Sequence, residues 1–129
     1  KPMMQEESQI QTGNTQINAG VNEEEHTLPP VTPKRTWITL DQSPNGMLFR
    51  IAGSEPELNA FGELYSDRYE VFIEGIWDIY LRKPKTHCVN GMKRYYRSSE
   101  TVLVFPLLCL PEVNRVYNED ARTIAIEIR

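Results

Sequence analysis

Tyr69-Glu70-Val71-Phe72-Ile73-Glu74-Gly75-Ile76-Trp77-Asp78-Ile79-Tyr80-Leu81 carries the strongest β signal in the chain. Tyr69, Val71 and Ile73 alternate with Glu70, Phe72 and Glu74, and beyond Gly75 the alternation resumes at Trp77, Ile79 and Leu81. A period of two belongs to a strand with one buried face. A glycine in mid-run marks a tight bend or bulge between two strands.

The same pattern recurs on both sides. Downstream, Thr101–Phe105 is a buried-type strand halted at Pro106. Val113–Tyr117 and Thr123–Ile128 follow, separated by Asn118-Glu119-Asp120. In the last strand Ile124, Ile126 and Ile128 face in, while Thr123, Ala125, Glu127 and Arg129 face out. Upstream, Thr36–Leu40 and Met47–Ala52 flank the turn Ser43-Pro44-Asn45-Gly46, with Met47, Phe49 and Ile51 on one face. Asn90-Gly91 carries a type I′ hairpin signal, with Thr86–Val89 and Met92–Arg97 as its arms. Ser54 with Glu57 fits a capping box, Pro56 a first turn, and Leu58, Phe61 and Tyr65 a helical spacing. Gly62 weakens that element, so it reads as a short helix or a structured loop. About eight short strands with regular turn signals predict an all-β domain, a small antiparallel barrel or sandwich with at most one short helix.

The chain divides near residue 34. Residues 1–33 contain no aromatic side chain and are dominated by Gln, Asn, Glu, Thr and Gly. Glu6, Glu7, Glu23, Glu24 and Glu25 stand against Lys1, so this part carries the whole formal charge of −4. Such a segment buries too little apolar surface to offset its ordering entropy. It is predicted to be a disordered acidic leader, ending in the stiff spacer Leu28-Pro29-Pro30-Val31-Thr32-Pro33. Residues 34–129 form the predicted β domain. The chain does not open on Met, so it is expected to be a piece of a longer one, and its first residues contain no apolar signal-peptide core. No apolar run reaches the roughly 18 residues of a membrane span, so no membrane partner is expected. Two cysteines, Cys88 and Cys109, make no disulfide framework, and the expected setting is intracellular and reducing.

Residues 34–129 are neutral overall but polarised. Seven acids and one base (Arg68) lie between Glu55 and Asp78, whereas Arg82 to Arg97 holds six bases and no acid. A dedicated nucleic-acid binder would be basic throughout. The basic strip, with Arg82, Lys83, Lys85, Lys93, Arg94 and Arg97 interleaved with Tyr95 and Tyr96, is the most distinctive feature. On a hairpin it suits an acidic protein partner, or phosphates and stacked bases. Its plain alternative is an exposed hairpin kept soluble by charge.

The block Tyr69–Leu81 resembles the first half of a cupin barrel, where a strand runs into a glycine and a second strand returns. Glu100–Pro106 resembles the cupin second half, where an apolar strand ends in proline. The closing residues Asn118–Arg129 are similar to the last strand of the cupin at the C-terminus of the centromere protein C family, a domain placed behind a long disordered region. The resemblance covers residues 35–129. It implies a double-stranded β-helix that pairs with itself as a homodimer, has no enzyme activity, and serves a nuclear, centromere or kinetochore assembly. The chain departs from metal-binding cupins in lacking their His-x-His, and Ser99-Glu100 stands where a Gly-Asp pair is expected.

Catalytic and metal chemistry find little to work with. A zinc site needs about four N or S ligands at set spacings. The chain offers His87, Cys88, Cys109 and His26, the last in the leader, so neither metal nor cofactor is expected. Cys88 and His87 are strand neighbours in this reading and would point to opposite faces. Cys109 reads as a buried thiol, and Glu70, Glu74 and Asp78 as a solvated outer face. Leu107, Leu108 and Leu110 are either core or an apolar partner face. Thr32, before Pro33, Lys34 and Arg35, has the form of a phosphorylation site. The sequence therefore points to a non-enzymatic, self-associating interaction module, with a nucleic-acid-binding β-barrel using residues 82–97 as the alternative.

Overall fold

The computed structural model describes residues 29–129. The predicted leader falls, for residues 1–28, outside the described residues. The described chain is all-β, with nine strands and no helix. The strands are β1 (Lys34–Ser43), β2 (Gly46–Gly53), β3 (Ala60–Leu64), β4 (Arg68–Glu74), β5 (Trp77–Asp78), β6 (Lys93–Arg97), β7 (Glu100–Pro106), β8 (Asn114–Asp120) and β9 (Thr123–Ile128). They form two sheets, ordered β5-β1-β2-β9-β8 and β3-β4-β7-β6. Every pairing is antiparallel except that of β1 with β5.

Alternation sets the core as the sequence predicts. Met47, Phe49 and Ile51 of β2 and Ile124, Ile126 and Ile128 of β9 meet Tyr69, Val71 and Ile73 of β4 and Leu103 and Phe105 of β7 in one buried cluster. Phe49 and Phe105 join the two sheets edge to face, with ring centroids 6.1 Å apart, a geometry that suits the ring quadrupoles.

The sheets do not close into a barrel. Where β3 and β8 approach, single contacts replace a ladder: Asn118 Nδ2 donates to Leu58 O at 2.7 Å, and Glu57 N to Ala121 O at 2.7 Å. At the opposite side the segment after Gly75 spans from one sheet to the other. Gly75 has φ of +94°, a conformation open to glycine at no steric cost. Trp77 then pairs with Lys34 in the first sheet, while its N–H donates to Thr101 Oγ1 in the second at 2.9 Å. Thr101 Oγ1 donates in turn to Gly75 O at 2.8 Å. Tyr96 Oη donates to Trp77 O at 3.0 Å.

Several expectations are corrected. Residues 54–65 form no helix: 54–59 are a loop that leads into β3 at Ala60–Leu64. Leu58 is fully buried while Phe61 is exposed and stacked on Phe72 at 5.1 Å, so the helically spaced residues share no common face. The strand expected to end at Tyr117 runs on to Asp120, with an irregularity at Asn118/Asp120, and the turn lies at Ala121-Arg122. Glu70 is not solvated: it is nearly buried on the outer face of β4, under an Arg68 Nε contact of 2.7 Å.

Thr101→Val keeps shape but strips the hydroxyl that serves the buried Trp77 N–H. Leaving such a group unpaired costs about 1–3 kcal/mol, a loss measurable by urea unfolding. Glu127 is held below its ordinary carboxyl value of 4.5 chiefly by Arg115 and secondarily by Arg129. A depressed folded-state value means stability that is present above the unfolded value and lost as pH falls through the folded one. The melting temperatures of wild type and Glu127→Gln should therefore converge on acidification below the ordinary glutamate range, as followed by circular dichroism.

Candidate functional site

One end of the molecule gathers three loops: the β1–β2 turn, residues 82–92 before β6, and residues 107–113 after β7. Main-chain bonds tie them together. His87 N donates to Pro44 O at 2.8 Å, Asn90 N to Pro106 O at 2.9 Å, and Leu108 N to Cys88 O at 2.7 Å. Lys85 N donates to Gln42 Oε1 at 3.0 Å. Thr86 shapes the loop locally, its hydroxyl accepting from Cys88 N at 3.1 Å and Val89 N at 2.9 Å, as serine and threonine do in side-chain-mimicked turns. Cys88 and Cys109 are joined by a disulfide.

This arrangement replaces the hairpin expected at Asn90-Gly91. Asn90 instead bridges Lys85, closing a loop at residues 86–89, and Val89 bridges Leu107. The hairpin that does form is β6–β7, turning at Ser98-Ser99 with Ser98 at φ of 56°.

The basic strip is consequently split. Arg94 faces the interior side of the second sheet, where Nη1 donates to Ile79 O at 2.7 Å and lies 3.9 Å from Asp78 Oδ1. Its Nε is the one buried side-chain nitrogen or oxygen without a hydrogen-bond partner among the described residues. Tyr96 is committed to Trp77 O, and partial burial raises its phenol above the ordinary value. Arg94 and Tyr96 thus each make a hydrogen bond to the crossing segment. Arg97 pairs with Glu100 at 3.1 Å and lies over the Phe72 ring. Tyr95 belongs to an outward row with Val102, Phe72 and Phe61.

Three cations remain outward and unpaired. Lys83, Lys85 and Lys93 are exposed, form no ion pair among the described residues, and share a cleft of about 370 Å³ with Pro84, Gly91, Met92 and Pro106. No carboxylate lines it. Arg82 is half-buried and outside that lining.

The three leucines also separate. Leu107 packs against the core, whereas Leu108 and Leu110 are 63% and 64% exposed on either side of Cys109. Thr32 is exposed just ahead of β1.

Cys109 is bonded to Cys88 and is not the isolated buried thiol expected. His87 and Cys88 stand in a bend, not a strand, so both can face the 107–110 loop. The ligand atoms of His87, Cys88 and Cys109 lie within 4.8 Å of one another. Sequence spacing gave no sign of this cluster, because the bend that creates it is set by Thr86 and by contacts to Pro44 and Pro106. His26 lies outside the described residues.

No known protein family, curated protein or solved structure matches the chain.

Neighbouring cations should respond differently to substitution. Arg94→Ala removes an interior charge-assisted bond and should cost roughly 1.5–3 kcal/mol, whereas exposed Lys93→Ala should leave stability within about 0.5 kcal/mol. Paired chemical denaturation of the two variants checks the assignment.

Proposed function

We propose that the chain is a non-enzymatic interaction module whose working surface is the disulfide-bonded end, and that its partner is an acidic protein segment carrying apolar side chains. The observation that carries this reading is the convergence of Lys83, Lys85 and Lys93 on a cleft without a single carboxylate. Exposed Leu108 and Leu110 stand on a neighbouring loop of the same end. Charge complementarity would steer the encounter, and buried leucine would supply affinity.

Four of the seven acids between residues 55 and 78 are already engaged elsewhere. Glu55, Asp67, Glu70 and Asp78 already face Lys34, Arg68 and Arg94. Self-association, expected from the cupin resemblance, therefore has Leu108 and Leu110 as its candidate contact rather than the charged strip. A nuclear, centromere-type setting rests on that resemblance, and in a reducing compartment Cys88 and Cys109 would stand as thiols. Nucleic acid is the second reading, favoured by the lysines alone, since Tyr96, one of the two expected stacking platforms, is engaged internally.

Titration with poly-glutamate and, separately, with a single-stranded oligonucleotide tests the proposal. Binding of poly-glutamate should weaken with salt and disappear when Lys83, Lys85 and Lys93 are all changed to alanine. Binding that survives the triple change removes the cleft from the function, and binding of the oligonucleotide alone transfers it to nucleic acid. Light scattering across concentration decides self-association, with a strict monomer removing the homodimer.

A further inference from the structure

The end that carries the lysine cleft also holds soft-metal ligands that the interaction proposal does not use. We propose that, once the Cys88–Cys109 bond is reduced, His87, Cys88 and Cys109 form a three-ligand Zn²⁺ site.

The geometry supports this in two independent ways. The three ligand atoms already lie within 4.8 Å of one another. Zinc bonds of about 2.0–2.3 Å place tetrahedral ligands roughly 3.5 Å apart, so the two sulfurs need only separate to that spacing after reduction while the imidazole moves in by side-chain rotation. The loops bearing them are also held together without the sulfur bridge. Leu108 N donates to Cys88 O, Val89 bridges Leu107, and His87 N donates to Pro44 O. These bonds keep the ligands juxtaposed when the disulfide opens.

The His87 ring adds a third support. Its Nδ1 lies 3.2 Å from Pro44 O. Were the proton on Nδ1, that bond would fix the ring and make Nε2 the nitrogen offered to a metal, the usual outer-shell arrangement of a ligating histidine. Two thiolates and an imidazole select a thiophilic d¹⁰ ion over Mg²⁺ or Ca²⁺.

A dithiol reductant delivers two electrons and two protons to the Cys88–Cys109 bond and itself closes to a disulfide. The two new thiols then release their protons to solvent as Zn²⁺ forms two Zn–S bonds and one Zn–N bond. Water completes the tetrahedral set. The same pair of cysteines therefore holds either a covalent bond or a metal ion, never both.

Co²⁺ is the optical probe for the test. The full chain is reduced with a phosphine and titrated anaerobically, watching for thiolate charge-transfer and tetrahedral d–d absorption. The expected result is one Co²⁺ per chain, displaced by Zn²⁺, with no such bands from the oxidised chain. Cys88→Ser and Cys109→Ser should each lose the thiolate spectrum of the intact site. His87→Ala, at an exposed position, should weaken binding by about tenfold or more. A reduced chain that melts cooperatively but shows no bands overturns the site. So does an affinity indifferent to His87→Ala, or a reduced chain without a cooperative melt, since the main-chain bonds then fail to hold the loops.

Discussion

The short crossing after Gly75 ties the two sheets to each other. Without it the molecule would be two hairpin-built sheets sharing a core at one face and touching by isolated bonds at β3 and β8. Trp77 fills the gap between the sheets with a fully buried ring, while its backbone is shared: the strand pairing goes to Lys34 and the N–H to Thr101. Thr101 is a polar residue at zero exposure because both of its hydroxyl roles are used, accepting from Trp77 and donating to Gly75. Buried polar groups persist only when satisfied in this way.

That crossing also explains why the basic strip is not one surface. Arg94 and Tyr96 alternate with Lys93, Tyr95 and Arg97 along β6. Because the crossing segment runs beneath the inner face of β6, the even-numbered pair serves its carbonyls. What remains outward on the cleft is set by the loops. The lysines of residues 82–93 converge because Gly91 N is bonded to Pro84 O and Asn90 N to Pro106 O, not because a hairpin arm presents them in a row.

Much of the fold was legible from alternation. Met47, Phe49 and Ile51, Tyr69, Val71 and Ile73, and Ile124, Ile126 and Ile128 all face the core as their period of two requires. Legibility failed where tertiary contacts outweighed local signals. Leu58, Phe61 and Tyr65 have helical spacing, yet Leu58 is drawn into the core while Phe61 stacks outside on Phe72. Asn90-Gly91 is a strong local turn signal, but Asn90 N is captured by Pro106 O, and the turn passes to Ser98, a residue that turn rules do not favour in the left-handed region. The disulfide and the neighbouring histidine were invisible because strand logic placed His87 and Cys88 on opposite faces. The barrel expectation failed for a related reason: counting strands does not reveal that β3 and β8 meet through Leu58 and Asn118 rather than through a ladder.

The position of β9 has a consequence for how the molecule is made. This strand lies inside its sheet, between β2 and β8, although it comes last of the nine described strands in sequence. On the ribosome β2 must wait for Thr123–Ile128 to emerge, its inner edge and the side chains of Met47, Phe49 and Ile51 open meanwhile. Contacts spanning so many residues form late and slowly. Strand edges left open in the interval are templates for wrong pairing, so the nascent domain is most vulnerable before Thr123–Ile128 is available to pair.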